Sequence, residues 1–165
     1  MMDYEQVLKY AMQMELDGSN FFKEKAGHFS NPTTQKLFHD LSDVEMEHYA
    51  YLERQLKAYG DNGGFDTSGE VMDREEDIFK AREESEHIEE TLKESDIPDL
   101  TILRMAYLIE RDYKEFYERA AEHAKDEGIK AIFTKLSKWE EGHERLFKSE
   151  YDRRMKEYMT LPWGG

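Results

Sequence analysis

An internal repeat restricts the fold of this chain more than any other feature. Displaced by 95 residues, the sequence aligns with itself without a gap. Leu8 meets Leu103, Ala11 meets Ala106, Glu15 meets Glu110 and Asp17 meets Asp112. Phe21 and Phe116, Ala26 and Ala121, and His28 and His123 follow. Further on come Phe38 with Phe133, Leu41 with Leu136, Ser42 with Ser137, Glu45 with Glu140, and His48 with His143. That is about a dozen identities over some forty positions, where chance supplies roughly two or three. The chain therefore holds two copies of one supersecondary unit, which pack together to make one core.

The unit is a helical hairpin, because apolar residues recur at helical rather than alternating spacing. The first helix is expected from about Tyr4 to His28, with Leu8, Met12, Glu15, Ser19, Phe22 and Ala26 on one stripe. Ser30-Asn31-Pro32 ends it, and Asn31 caps the next helix with Pro32 in its first turn. That second helix is expected from about Thr33 to Tyr59, and the stretch from Gly60 to Gly69 reads as a loop. A helix with a thin stripe is expected over Val71 to Glu94, inside a crossover spanning 61–97. The second hairpin follows over about Asp99 to Lys125 and Ile129 to Tyr158, and the tail Leu161 to Gly165 reads as non-helical. The expectation is one all-α domain over 1–165: a four-helix bundle of two hairpins joined by a long crossover with an extra helix.

The repeated stripes carry charge where a core should be apolar. Glu15 and Glu45 are equally far from Ser30, at the first turn, and Glu110 and Glu140 are equally far from Lys125, at the second. In an antiparallel hairpin each pair lies at one height, about 22 Å from its turn. The i, i+3 spacing adds His48 to Glu45 and His143 to Glu140 on the same faces. Four carboxylates and two imidazoles thus meet in mid-bundle. A buried carboxylate costs several kcal/mol unless something pairs with it, and clustered carboxylates repel one another. Two divalent cations would neutralise four carboxylates, and carboxylate with imidazole suits iron or manganese. One Glu from each of two helices, with Glu-x-x-His from the other two, is the ligand pattern of di-iron carboxylate bundles. Glu84 and His87 share the Glu-x-x-His spacing but lie off their stripe and have no repeat counterpart, so they read as surface. His28 and His123 read as helix-end residues, and His39 as surface.

Composition removes several classes of function. The chain has no cysteine, hence no disulfide, thiolate zinc site or cysteine-bound iron–sulfur cluster. Its formal net charge of −15 argues against nucleic acid and against an anionic membrane surface. No apolar run approaches the roughly 18 residues of a membrane span. The opening Met-Met-Asp-Tyr-Glu lacks the regions of a secretory signal, so a cytoplasmic location is expected.

Four stretches, "VLKYAMQMELDGSNFFKEKAG", "QKLFHDLSDVEMEHYAYLE", "LRMAYLIERDYKEFYERAAE" and "IFTKLSKWEEGHERLF", carry a resemblance to the ferritin-like superfamily and, within it, to the rubrerythrin family. The resemblance implies a ferritin-like bundle with a di-iron centre held by Glu15, Glu45, His48, Glu110, Glu140 and His143. It implies bridging roles for Glu45 and Glu140 and terminal roles for Glu15 and Glu110. Two departures stand out. Rubrerythrins proper carry a cysteine-ligated rubredoxin domain, which this chain cannot have. They also place an extra Glu three residues after the third-helix ligand, where this chain has Tyr113. Met46, directly after Glu45, stands at the kind of position used for haem in bacterioferritin, which this ligand set also resembles; core filling is the plainer reading.

The function expected from this reading is reduction of H2O2 or O2 at two iron ions, with manganese or zinc as possible substitutes. The electrons would come from an external donor such as a rubredoxin-type protein, and a homodimer is expected. Tyr117 and Tyr107 lie on the face of Glu110 and are candidates for donating a hydrogen bond or an electron to the site; core packing is the alternative for both. Trp139 reads as packing, and Asp17 and Asp112 fall off the inner stripe. Ferroxidase activity feeding storage, and a redox-silent bundle stapled by metal, are the competing readings.

Overall fold

The structure, a computed structural model, describes residues 2–29, 32–65 and 97–160. Four helices account for nearly all of it: α1 (Tyr4–Ala26), α2 (Pro32–Asn62), α3 (Ile97–His123) and α4 (Glu127–Thr160). There is no strand among the described residues, so the all-α expectation holds. The crossover helix expected over Val71 to Glu94 and the tail beyond Thr160 lie outside the described residues.

Local chemistry sets the helix ends. Asp3 accepts the backbone N–H of Gln6 at 3.3 Å, with Glu5 in the first turn of α1 and Lys23 and Lys25 in its last, so the charges complement the helix dipole. α2 begins on Pro32, as a first-turn proline should. It runs past the expected end at Tyr59, through Gly60, Asp61 and Asn62. The stop is Gly63, whose φ of 70° places it in the left-handed region, and whose N–H donates to the Tyr59 carbonyl at 2.8 Å. α3 starts two residues earlier than expected, at Ile97, and ends at His123 rather than Lys125. The second turn is short because Asp126 caps α4 directly, its Oδ1 accepting the N–H groups of Gly128 at 2.7 Å and Ile129 at 3.1 Å. The Tyr4 hydroxyl accepts the N–H groups of Lys125 and Asp126 at 3.1 and 3.0 Å, which fastens the start of α1 to that turn.

α1 packs along α2 and α3 along α4, as the repeat requires. The core then divides in two. One cluster, with Leu8, Leu52, Tyr117, Ile129, Phe133 and Leu136, also holds Ala124 from the α3–α4 turn. The other, with Phe22, Phe38, Leu41, Leu103 and Phe147, holds Phe29 from the α1–α2 turn. Each cluster mixes both hairpins, so the two turns lie at opposite ends of the bundle. Between the clusters lies the polar layer. No helix among the described residues is long and apolar enough to cross a membrane.

Candidate metal centre

All six repeated residues meet in that layer. Glu15 comes from α1, Glu45 and His48 from α2, Glu110 from α3, and Glu140 and His143 from α4. The four glutamates are 0% exposed, His48 1% and His143 4%. Helix phase explains the convergence: residues three apart on α2 and on α4 share a face, and equal distances from each turn place the glutamates at one height.

Their geometry separates two roles among the carboxylates. His48 Nδ1 lies 3.4 Å from Glu15 Oε2, and His143 Nδ1 lies 3.5 Å from Glu110 Oε2. Glu45 divides its oxygens, with Oε2 3.7 Å from His48 Nδ1 and Oε1 3.8 Å from His143 Nδ1. Glu140 does the same, with Oε1 3.2 Å from His48 Nδ1 and Oε2 3.6 Å from His143 Nδ1. Two four-residue groups result, Glu15/Glu45/His48/Glu140 and Glu45/Glu110/Glu140/His143, each with one ligand atom per residue inside 4.8 Å. Glu45 and Glu140 belong to both groups.

The electrostatics leave a place for positive charge. All six carboxylate oxygens of Glu45, Glu110 and Glu140 are buried with no hydrogen-bond partner. Such groups are rare in folded proteins and strongly unfavourable. Burial, followed by the charges of Glu140 and Glu15, pushes Glu45 well above the usual carboxylate range. Burial, followed by the charges of Glu140 and Glu45, does the same to Glu110. Burial also works against ionisation of Glu140, but contacts with Glu110, His143 and His48 outweigh it and hold that carboxyl below the usual range. The donor set is hard oxygen with borderline nitrogen, four ligands per group, and it fits a pair of divalent first-row ions.

Around this set, hairpin α3–α4 reaches across to hairpin α1–α2. The Tyr117 hydroxyl, fully buried, donates to Glu15 Oε1. Tyr113 donates to the carbonyl of Met14 at 2.6 Å. The Trp139 indole stacks on the His48 imidazole, with ring centres 5.6 Å apart and planes at 10°. Sequence reading treats Trp139 as packing; its position beside Glu140 was the available signal, but the partner ring lies on another helix. Glu144, next to His143, pairs with Arg111 at 2.8 Å and Lys114 at 3.1 Å.

The remaining candidates lie elsewhere. Tyr107 packs on Tyr151 with ring centres 5.4 Å apart, under the Arg111 guanidinium at 5.5 Å, in the cluster of Phe22 and Phe147. Asp17 and Asp112 are exposed, and Asp17 accepts from Gln13 on its own helix. His28, His39 and His123 are exposed, with His123 Nδ1 2.8 Å from the Arg119 carbonyl. Met46 is 39% exposed, so it does not fill the core. Glu84 and His87 lie outside the described residues.

Comparison with curated proteins and with solved structures gave no match. A family model described as Rubrerythrin matches residues 6–151, which takes in all six clustered residues and both hairpins. The chain thus belongs to the rubrerythrin family, within the ferritin-like superfamily.

Proposed function

We propose that this protein is a di-iron oxidoreductase that reduces hydrogen peroxide, or O2, with electrons from an external donor. The observation that carries this reading is the sharing of Glu45 and Glu140 between two complete four-ligand groups. His48 and Glu15 would hold one ion and His143 and Glu110 the other, with Glu45 and Glu140 spanning the pair. Two iron ions bound there would supply the redox equivalents for reducing an O–O bond.

The chain's own residues do the rest. Reducing one H2O2 to two waters takes two electrons and two protons. Burial, followed by the charges of Glu15 and Glu140, pushes the Tyr117 hydroxyl well above its ordinary range. It therefore keeps its proton at neutral pH and holds it against Glu15 Oε1, orienting that carboxylate. The two apolar clusters above and below the layer keep bulk water away, which strengthens every charge interaction inside. With no cysteine in the chain, the electrons are expected from a separate protein, of the rubredoxin type.

Elemental analysis comes first, then anaerobic loading with Fe²⁺ and separate pulses of H2O2 and O2 followed in the near ultraviolet. The expected result is about two irons per chain, oxidised faster by peroxide. Faster reaction with O2 and continued iron uptake would replace this reading with ferroxidase activity. An intact fold with no stoichiometric metal would overturn it.

A further inference from the structure

Tyr113 stands three residues after Glu110 on α3, and in the repeat its counterpart is Gly18 on α1. The structure brings these two counterparts against each other, as happens to equivalent positions near a two-fold relation. A Cβ on Gly18 would lie 2.9 Å from Tyr113 Cε2 and 3.0 Å from its hydroxyl oxygen. There is room for one large side chain at this point of the α1–α3 seam, and α3 supplies it. The hydroxyl then donates to the Met14 carbonyl at 2.6 Å, one residue before Glu15.

From this juxtaposition we infer that Tyr113 is a positioning residue for the metal centre. It pins the α1 turn that carries Glu15 to the α3 turn that carries Glu110, and so sets the separation of the two carboxylates that are not shared. Its hydrogen bond ends on main chain, so it constrains where residue 15 stands, while Tyr117 constrains the carboxylate itself. The α1 helix packs chiefly on α2, which leaves this bond as a direct tie between the hairpins at the height of the site. Burial, followed by the charges of Glu45 and Glu15, pushes the Tyr113 hydroxyl far above its ordinary range, so it remains a donor. The inference rests on the two-metal reading above and adds what keeps its two halves in register.

Cobalt(II) titrated into the chelated protein, followed by its visible spectrum, tests this. The wild-type chain is expected to bind two ions. In Tyr113→Phe the ion in the Glu15 group should bind about tenfold more weakly, with an altered visible band, while the other is unchanged. The melting midpoint of the chelated variant should stay within about 3 °C of wild type. Gly18→Ala keeps the hydroxyl but displaces the ring, and should weaken the same ion; the double variant should be no weaker than the worse single one, since both act through one contact. Unchanged affinities and spectrum in Tyr113→Phe would overturn the role of Tyr113 and leave the metal reading intact. A loss of affinity accompanied by a large fall in the midpoint would overturn it in favour of plain packing. A wild-type chain that takes up no cobalt would overturn both readings together.

Discussion

The two hairpins carry the same six-residue pattern but surround it differently. In α1–α2 a buried serine pair ties the two helices: Ser19 and Ser42 hydrogen-bond each other, with Oγ atoms 2.8 Å apart. In α3–α4 the counterparts of Gly18, Phe22 and Val44 are Tyr113, Tyr117 and Trp139, and all three reach into the other hairpin. Glu15 and His48 of the first hairpin are thus held by aromatic groups of the second. Beside His143 the second hairpin instead uses ions, with Arg111 and Lys114 holding Glu144 below the usual carboxylate range against the effect of its burial. The repeat supplies the Glu and Glu-x-x-His pattern twice, and the two halves differ in what supports it. A pair of metal positions that differ in their surroundings can differ in affinity and reactivity.

The largest effect should come from a residue that both halves share. Glu140→Ala should lose both ions, with more than about a hundredfold lower affinity, whereas Glu110→Ala should keep one ion in the Glu15 group. Metal analysis after gel filtration counts them, and two ions retained by Glu140→Ala would end the shared-ligand reading. Next comes Tyr117→Phe, which makes position 117 match its counterpart, Phe22. Peroxide-driven oxidation should slow by about a hundredfold with the metal count unchanged; an unchanged rate would mean that orientation of Glu15 does not matter.

Stability should respond to pH in opposite senses with and without metal. Glu45 and Glu110 are raised in the folded chelated protein, so their contribution is present below the unfolded value of 4.5 and is lost as pH rises through their elevated values. Glu140 is lowered and contributes the other way, its share being lost as pH falls. Glu140 acts only below 4.5, so above that the two raised groups decide the sign, and the melting midpoint of the chelated protein should fall as pH rises from about 5. The metal-loaded protein should instead gain over the same range, because protons compete with the ions for the carboxylates. Parallel curves would show that the cluster is not where the metal binds. The smallest effect is expected from Phe22→Tyr. The symmetry of the repeat directs its hydroxyl at Glu110, whose oxygens lack a hydrogen-bond partner. The midpoint should move by less than about 2 °C, against the roughly 1–3 kcal/mol that an unsatisfied buried hydroxyl costs. A larger fall would mean that the two hairpins depart from symmetry at the site itself.

Much of this was legible in residue spacing. Along a stiff helix, spacing determines which side chains share a face and how far each lies from a turn. The sequence alone therefore determined four long helices, two hairpins, and the meeting of Glu15, Glu45, His48, Glu110, Glu140 and His143 at one height. It left the end of α2 short, because Gly60 reads as a breaker while the actual stop depends on the backbone conformation of Gly63. Tyr107 and Tyr117 looked equivalent, both on the face of Glu110. Only the packed bundle sent one to Glu15 and the other to Tyr151. Likewise, the division of the Glu45 and Glu140 oxygens between the two histidines, the stacking of Trp139 on His48, and the tie from Tyr113 to Met14 are tertiary facts. Each depends on how one hairpin is rotated and offset against the other. That offset is set by the joint packing of two apolar clusters drawn from all four helices, which no periodicity within a single helix contains.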